Sequence, residues 1–196
     1  MTASGLALAL LLGAIVAAPS GSAPPQPRPG GRLDPGGARQ YFTDVTLVDH
    51  EGRSHRLYSD LLRGKVVVVN SFYTSCTESC PVIMGKMSRI QAAVGERLGR
   101  DVHLVSLTVD PATDTPARLK EYAARLGVRP GWYLVSGEPR NVSEALRKLG
   151  HATGSKEAHT NLLIVGNERT GLWKKATALA HPDDLVRLVE DVLDDR

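Results

Sequence analysis

Gly64-Lys65-Val66-Val67-Val68-Val69-Asn70-Ser71-Phe72-Tyr73-Thr74-Ser75-Cys76-Thr77-Glu78-Ser79-Cys80-Pro81 is the stretch on which the fold turns. Its first half is a run of β-branched and aromatic residues without polar alternation. Such a run predicts a strand covered on both faces, as in a parallel sheet. Beyond Cys80 the period changes. Ile83, Met87, Ile90, Val94 and Leu98 recur at spacings of 4, 3, 4 and 4, which is the period of one helix face. Pro81 suits a first helical turn, where its missing N–H leaves nothing unsatisfied. The stretch therefore predicts a buried strand turning into a helix, with both cysteines at the junction.

The same grammar repeats downstream. Val102 to Val109 predicts a second buried strand ending at Asp110, and Asp114-Thr115-Pro116 opens a helix by the cap-then-proline rule. Leu119, Tyr122, Ala123 and Leu126 form its apolar face, and Gly127 ends it. Trp132 to Val135 is a short strand, and Val142, Ala145, Leu146 and Leu149 mark a third helix stopped by Gly150. Leu162–Val165 and Leu172–Thr177 are two strands, and a last helix begins at Pro182. Upstream, Tyr41–Val48 and Ser54–Tyr58 flank Asp49-His50-Glu51-Gly52 and read as a β-hairpin. Alternating strands and helices imply an α/β fold with parallel strands. The terminal ββα unit adds antiparallel character. This is the layout of a thioredoxin-like fold: a mixed central sheet flanked by helices, with an N-terminal β-hairpin extension.

The chain divides into three segments. Leu6–Ala18 is a thirteen-residue apolar run, well short of the ~20 residues of a membrane-spanning helix. It reads as a signal peptide or a short N-terminal anchor over residues 1–18. Residues 19–37 hold eleven Pro and Gly among nineteen and read as a linker. Residues 38–196 remain as one domain. Composition supports this: of 196 residues, 42% are hydrophobic and 23% charged, with a net charge of +3. That balance excludes a disordered chain and a multi-span membrane protein, and three surplus charges are too few for a nucleic-acid footprint. Contact with a membrane is expected only through the N-terminal segment.

Two cysteines are too few for a disulfide scaffold or a four-cysteine zinc module. Their concentration in Cys76-Thr77-Glu78-Ser79-Cys80 has a different meaning. Residues four apart share one face of a helix, and amides at a helix N-terminus stabilise a thiolate. As a staple, the pair would close too small a loop to constrain the unfolded chain. Redox or metal chemistry is left. Thioredoxin-type redox motifs have two residues between the cysteines; this one has three. In thioredoxin-like oxidoreductases a cis-proline precedes the strand facing the motif. Here His159-Thr160-Asn161 precedes Leu162. Two thiolates and the His159 imidazole make a soft donor set that suits copper, as Cu(I) with three ligands or Cu(II) with an added oxygen.

Six histidines occur. His151, eight residues before His159, is the substitute ligand. His50 and His55 belong to the hairpin, His103 opens a strand, and His181 neighbours the last helix cap. Asp110 and Asp114 are candidate outer-shell carboxylates near the metal, and N-capping by itself also accounts for Asp114. Met84 and Met87 are read as packing residues.

Three pieces of the chain together carry a resemblance. They are Gly64 to Pro81, with its aromatic–Thr-x-Cys element and Cys-x-x-x-Cys-Pro; Asp110-Pro111-Ala112-Thr113-Asp114-Thr115-Pro116; and His159-Thr160 before an apolar strand. From about Phe42 to Leu193 the sequence resembles the Sco/SenC family of thioredoxin-fold copper proteins. The resemblance implies a copper-binding metallochaperone held outside the cytoplasmic membrane, in the periplasm or on the membrane's outer face. It implies copper delivery to the binuclear centre of cytochrome c oxidase subunit II or another copper-accepting protein, reduction of that target's cysteines, or both. Other periplasmic copper chaperones are the corresponding donors. Cys76, Cys80 and His159 match the family's metal ligands. An extracytoplasmic thiol-disulfide oxidoreductase using Cys76 and Cys80 is the alternative.

Overall fold

A computed structural model of the protein describes residues 35–152, 154 and 161–195. The segment 1–18, most of 19–37, and His159 lie outside the described residues. Helix α1 (Pro35–Phe42) precedes a hairpin of β1 (Thr46–Asp49) and β2 (Ser54–Arg56), and a π-helical turn follows over Leu57–Leu62. Then come β3 (Val66–Phe72), α2 (Ser79–Val94), β4 (Val102–Thr108), α3 (Pro116–Leu126) and β5 (Trp132–Ser136). α4 (Pro139–Lys148), β6 (Leu162–Asn167), β7 (Leu172–Thr177) and α5 (Pro182–Leu193) complete the chain.

The strands form one seven-stranded sheet in the order β2-β1-β5-β4-β3-β6-β7. β3, β4 and β5 are parallel; β6 and β7 continue antiparallel on one side, and β1 and β2 on the other. This is the expected thioredoxin-like mixed sheet with a hairpin extension. The hairpin is shorter than the sequence suggests. Residues 41 and 42 end α1, whose first turn takes up Pro35–Gly37 from the Pro/Gly-rich stretch, and Leu57 and Tyr58 enter the π-helical turn. The reason is burial: Phe42, Leu57, Tyr58, Leu61 and Leu62 are all inside, which a solvent-facing hairpin does not allow.

β3 is buried along its whole length, and its alternation separates two cores. Val66, Val68 and Phe72 join α2, α3 and α5 on one face. Val67 and Val69 join α1, the π-helical turn and α4 on the other. α2 contributes the predicted stripe of Ile83, Met87, Ile90 and Val94 to the first core, with Cys80 and Met84 beside it. A buried polar chain runs under α2. The Trp132 indole N–H donates to Ser106 Oγ (3.0 Å), Ser106 Oγ donates to Asn70 Oδ1 (2.6 Å), and Asn70 Nδ2 donates to Met84 Sδ (3.4 Å). Each member has a partner, so the chain is compatible with burial. Among the described residues, no helix is long and apolar enough to cross a membrane.

Candidate functional site

The chain leaves β3 at Phe72 and makes a tight turn before α2. The Cys76 amide donates to the Tyr73 carbonyl at 3.2 Å, which closes that turn. α2 starts only at Ser79, so Cys76 stands outside the helix rather than on its face. The two sulfurs meet in another way. Glu78, at the N-cap position, makes no side-chain cap. The Cys80 amide donates to Cys76 Sγ instead, at 3.4 Å. The Cys76 sulfur thus takes the place of a capping oxygen for amides left unpaired by the helix geometry.

This placement makes the two thiols unequal. For Cys76, burial raises the pKa, but hydrogen bonds from the Cys80 thiol, from the Cys80 and Glu78 amides and from the Tyr73 side chain outweigh it and hold the thiol below its ordinary value. Cys80 is fully buried. Burial, then the hydrogen bond with Cys76 and its charge, push Cys80 up to about 12. Both are free thiols. Alkylation of the reduced chain at pH 8 is therefore expected to mark Cys76 more than ~100-fold faster than Cys80, since the thiolate is the reacting species. Peptide mapping after limited iodoacetamide treatment checks this; equal labelling would contradict the assigned asymmetry.

Aromatic side chains close the site. Phe72 packs against Tyr122 with ring centroids 5.6 Å apart, and the Arg125 guanidinium lies 5.4 Å above the Tyr122 ring. Burial, then the charges of Cys80 and Cys76, raise the Tyr122 phenol to about 12. That proximity was not legible in the sequence, where Tyr122 is one more apolar position on α3.

Asp114 holds the turn from behind. Its carboxylate accepts from the Thr74 amide (3.1 Å), the Thr74 hydroxyl and the Thr108 hydroxyl. The expected N-cap role belongs to Thr115, whose side chain accepts from the Arg118 amide. Asp110 is buried where the chain leaves β4; its amide donates to Thr108 Oγ1 and its carbonyl accepts from the Thr113 and Asp114 amides.

The other candidates separate. His151 lies buried against Ser71 Oγ, 3.1 Å from its Nδ1. Ser71 alternates with Asn70 and Phe72 and so points to the α4 face of the sheet, away from the cysteines. Burial, then Lys175, lowers His151 to about 4, so it is neutral at physiological pH. His55 contacts Asp49 in the hairpin (2.8 Å), His103 stacks on Tyr133, and His181 caps α5. Met84 and Met87 are core residues. Among the described residues, no third His, Cys, Asp or Glu joins the thiols in a ligand group. Two adjacent sulfur donors, one readily ionised, nevertheless fit a soft cation.

The SCO1/SenC family model matches residues 34–190. An SCO2-like protein of Rickettsia conorii is 30% identical over 105 residues, covering 54% of this chain and 49% of that protein. The chain thus spans about half the length of that relative. Two solved structures share the fold. Yeast Sco1 with copper bound has a TM-score of 0.64 at 21% identity, covering 88% of this chain and 97% of its own. BsSco, described as a Sco-family cytochrome c oxidase assembly protein with a disulfide switch, has a TM-score of 0.64 at 22% identity, covering 79% and 95%. With the family model spanning the whole sheet and the cysteine turn, the chain belongs to the SCO1/SenC family.

Proposed function

We propose that this protein is a copper metallochaperone that binds copper through Cys76, Cys80 and His159 and passes it to the binuclear copper site of cytochrome c oxidase subunit II. The observation that carries the reading is the capping contact between Cys76 Sγ and the Cys80 amide, which sets two soft donors side by side at a helix start. Thiolate sulfur prefers Cu(I), and imidazole suits both copper states. Copper bound to the yeast relative and the oxidase-assembly role of BsSco support this cargo and this recipient.

The support for His159 is topological. β6 runs antiparallel to β3 with Leu163 opposite Asn70, so it starts at the end of β3 from which the cysteine turn departs. The carbonyl of Asn161, two residues after His159, accepts from the Ala178 amide at 2.7 Å. Asp110 is assigned beside the site as a residue that tunes it. The apolar run Leu6–Ala18 supports a location outside the cytoplasmic membrane, in the periplasm or on the membrane's outer face, with other periplasmic chaperones as copper donors.

A second reading is favoured by the unequal thiols. A low-pKa cysteine beside a buried, high-pKa partner is the arrangement in which one thiolate attacks a target disulfide and the other resolves it. His159 separates the readings. In anaerobic Cu(I) and Cu(II) titrations of the full chain, the reduced protein is expected to bind copper stoichiometrically and the disulfide form to bind none. His159→Ala is expected to weaken binding at least ~10-fold, as loss of metal-site groups does, while leaving disulfide reduction intact. Undiminished affinity in His159→Ala would remove that residue from the site.

A further inference from the structure

Asp114 is fully buried. Among the described residues its side-chain partners are Thr74 and Thr108 alone, none of them a cation. A buried carboxylate left without a cation is costly, so its place in the fold calls for an account. Two observations converge on the dithiol. First, the carboxylate accepts from both the amide and the hydroxyl of Thr74, two residues before Cys76, and from the hydroxyl of Thr108 at the end of β4. The carboxylate therefore joins the cysteine turn to the neighbouring strand, as the Val109 amide also does at 2.9 Å from the Phe72 carbonyl. Second, Thr108 and Thr74 put the carboxylate on the α2 side of the sheet, the same side as Cys80 and Tyr122.

We propose that Asp114 is a positioning residue for the cysteine pair: it clamps the turn that carries Cys76, and its charge, buried behind the pair and paired with no cation among the described residues, favours the less negative disulfide over the reduced form. The inference rests on Cys76 and Cys80 being the reactive pair, whether for copper or for thiol exchange. The direction follows from Coulomb repulsion in a weakly screened interior. The Asp114 charge also contributes to the rise at Cys80, after burial and Cys76. The Thr74 bonds act separately, by fixing where the Cys76 sulfur stands relative to the helix amides.

The test is equilibration of the full chain with glutathione at about pH 9, the ordinary thiol value. When the pair oxidises at this pH, the Cys76 thiolate and the Cys80 thiol join in one S–S bond with loss of two electrons and one proton. Glutathione disulfide takes them as its S–S bond breaks to one thiol and one thiolate. Asp114→Asn keeps the shape and most of the hydrogen bonding but removes the charge. It is expected to shift the equilibrium about tenfold toward the dithiol, or ~30 mV for this two-electron couple. Thr108→Val removes one bond to Asp114 and keeps the charge; its shift is expected to stay below threefold. No shift in Asp114→Asn, a shift toward the disulfide, or an equal shift in Thr108→Val would overturn the electrostatic part. The wild type tests the clamp by hydrogen exchange. The Thr74 amide is expected to exchange at least tenfold more slowly than that of Ser75, and equal rates would overturn it, even if Asp114→Asn fails to fold. Copper titration of the wild type is read independently, so absence of copper binding would strike the proposed function and leave this inference standing.

Discussion

Cys76→Ser is expected to lower Cu(I) affinity by at least ~10³-fold and to abolish the intramolecular disulfide. The size follows from the chemistry of the site. Removing a group that merely orients a metal ligand costs 10–100-fold in affinity, and a lost thiolate removes both a soft donor and a negative charge. Serine supplies neither: its hydroxyl stays protonated and its oxygen is hard. Position 76 is the cleaner of the two to test. Cys80 is fully buried, so a hydroxyl there adds a desolvation penalty of ~1–3 kcal/mol, whereas a serine hydroxyl in place of the Cys76 thiol can still accept from the Cys80 amide and cap α2. A competition titration against a Cu(I) chelator measures the loss, with circular dichroism confirming the fold. Affinity within tenfold of wild type would show that the sulfur capping α2 is not a copper ligand, and the proposed function would fall with it.

The largest effect on stability is expected far from the cysteines. Gly131 precedes β5 with φ at +100°, and a Cβ there would stand 2.4 Å from the Gly99 nitrogen and 2.5 Å from its Cα. Both obstacles are backbone, and they cannot rotate away. The Gly131 carbonyl accepts from the Leu104 amide and the Gly99 amide donates to the Val102 carbonyl, so relieving the clash would pull β4 and β5 out of register. Gly131→Ala is expected to destabilise the chain by more than ~3 kcal/mol, the sum of left-handed strain and overpacking. Gly127 is the control. Its φ is +65°, but nothing lies within 4 Å of a Cβ there, so Gly127→Ala should lose only ~1 kcal/mol of conformational strain. Urea unfolding of both variants gives the comparison. Similar losses would mean that the Gly99 contact does not constrain the fold.

Much of the architecture was legible because it depends on local chemistry. The valine run, the helical stripe after Pro81, the Pro116–Gly127 bracket and the ββα ending each predict an element that the structure contains. Tyr41–Phe42 and Leu57–Tyr58 misled because their β-propensity is outweighed by burial against the α1 and α4 layer, which no local pattern reveals.

The candidate site divides along the same line. The spacing of Cys76 and Cys80, at a strand-to-helix junction, was enough to single out both residues as candidates for soft-metal or redox chemistry. How they meet was not determined by spacing. Cys76 caps α2 from outside, because the turn closed by Tyr73 delays the helix to Ser79. His151 and Asp114 show the same limit. By sequence, His151 lies close to His159, and Asp114 is a helix cap or an outer-shell carboxylate. The sheet's pleat sends His151 to the opposite face through Ser71, and the parallel pairing of β3 with β4 brings Thr74 and Thr108 to one carboxylate. A sequence records which residue types are near one another along the chain. Which face a side chain occupies, and which distant strand supplies its partner, are decided only when the sheet is assembled.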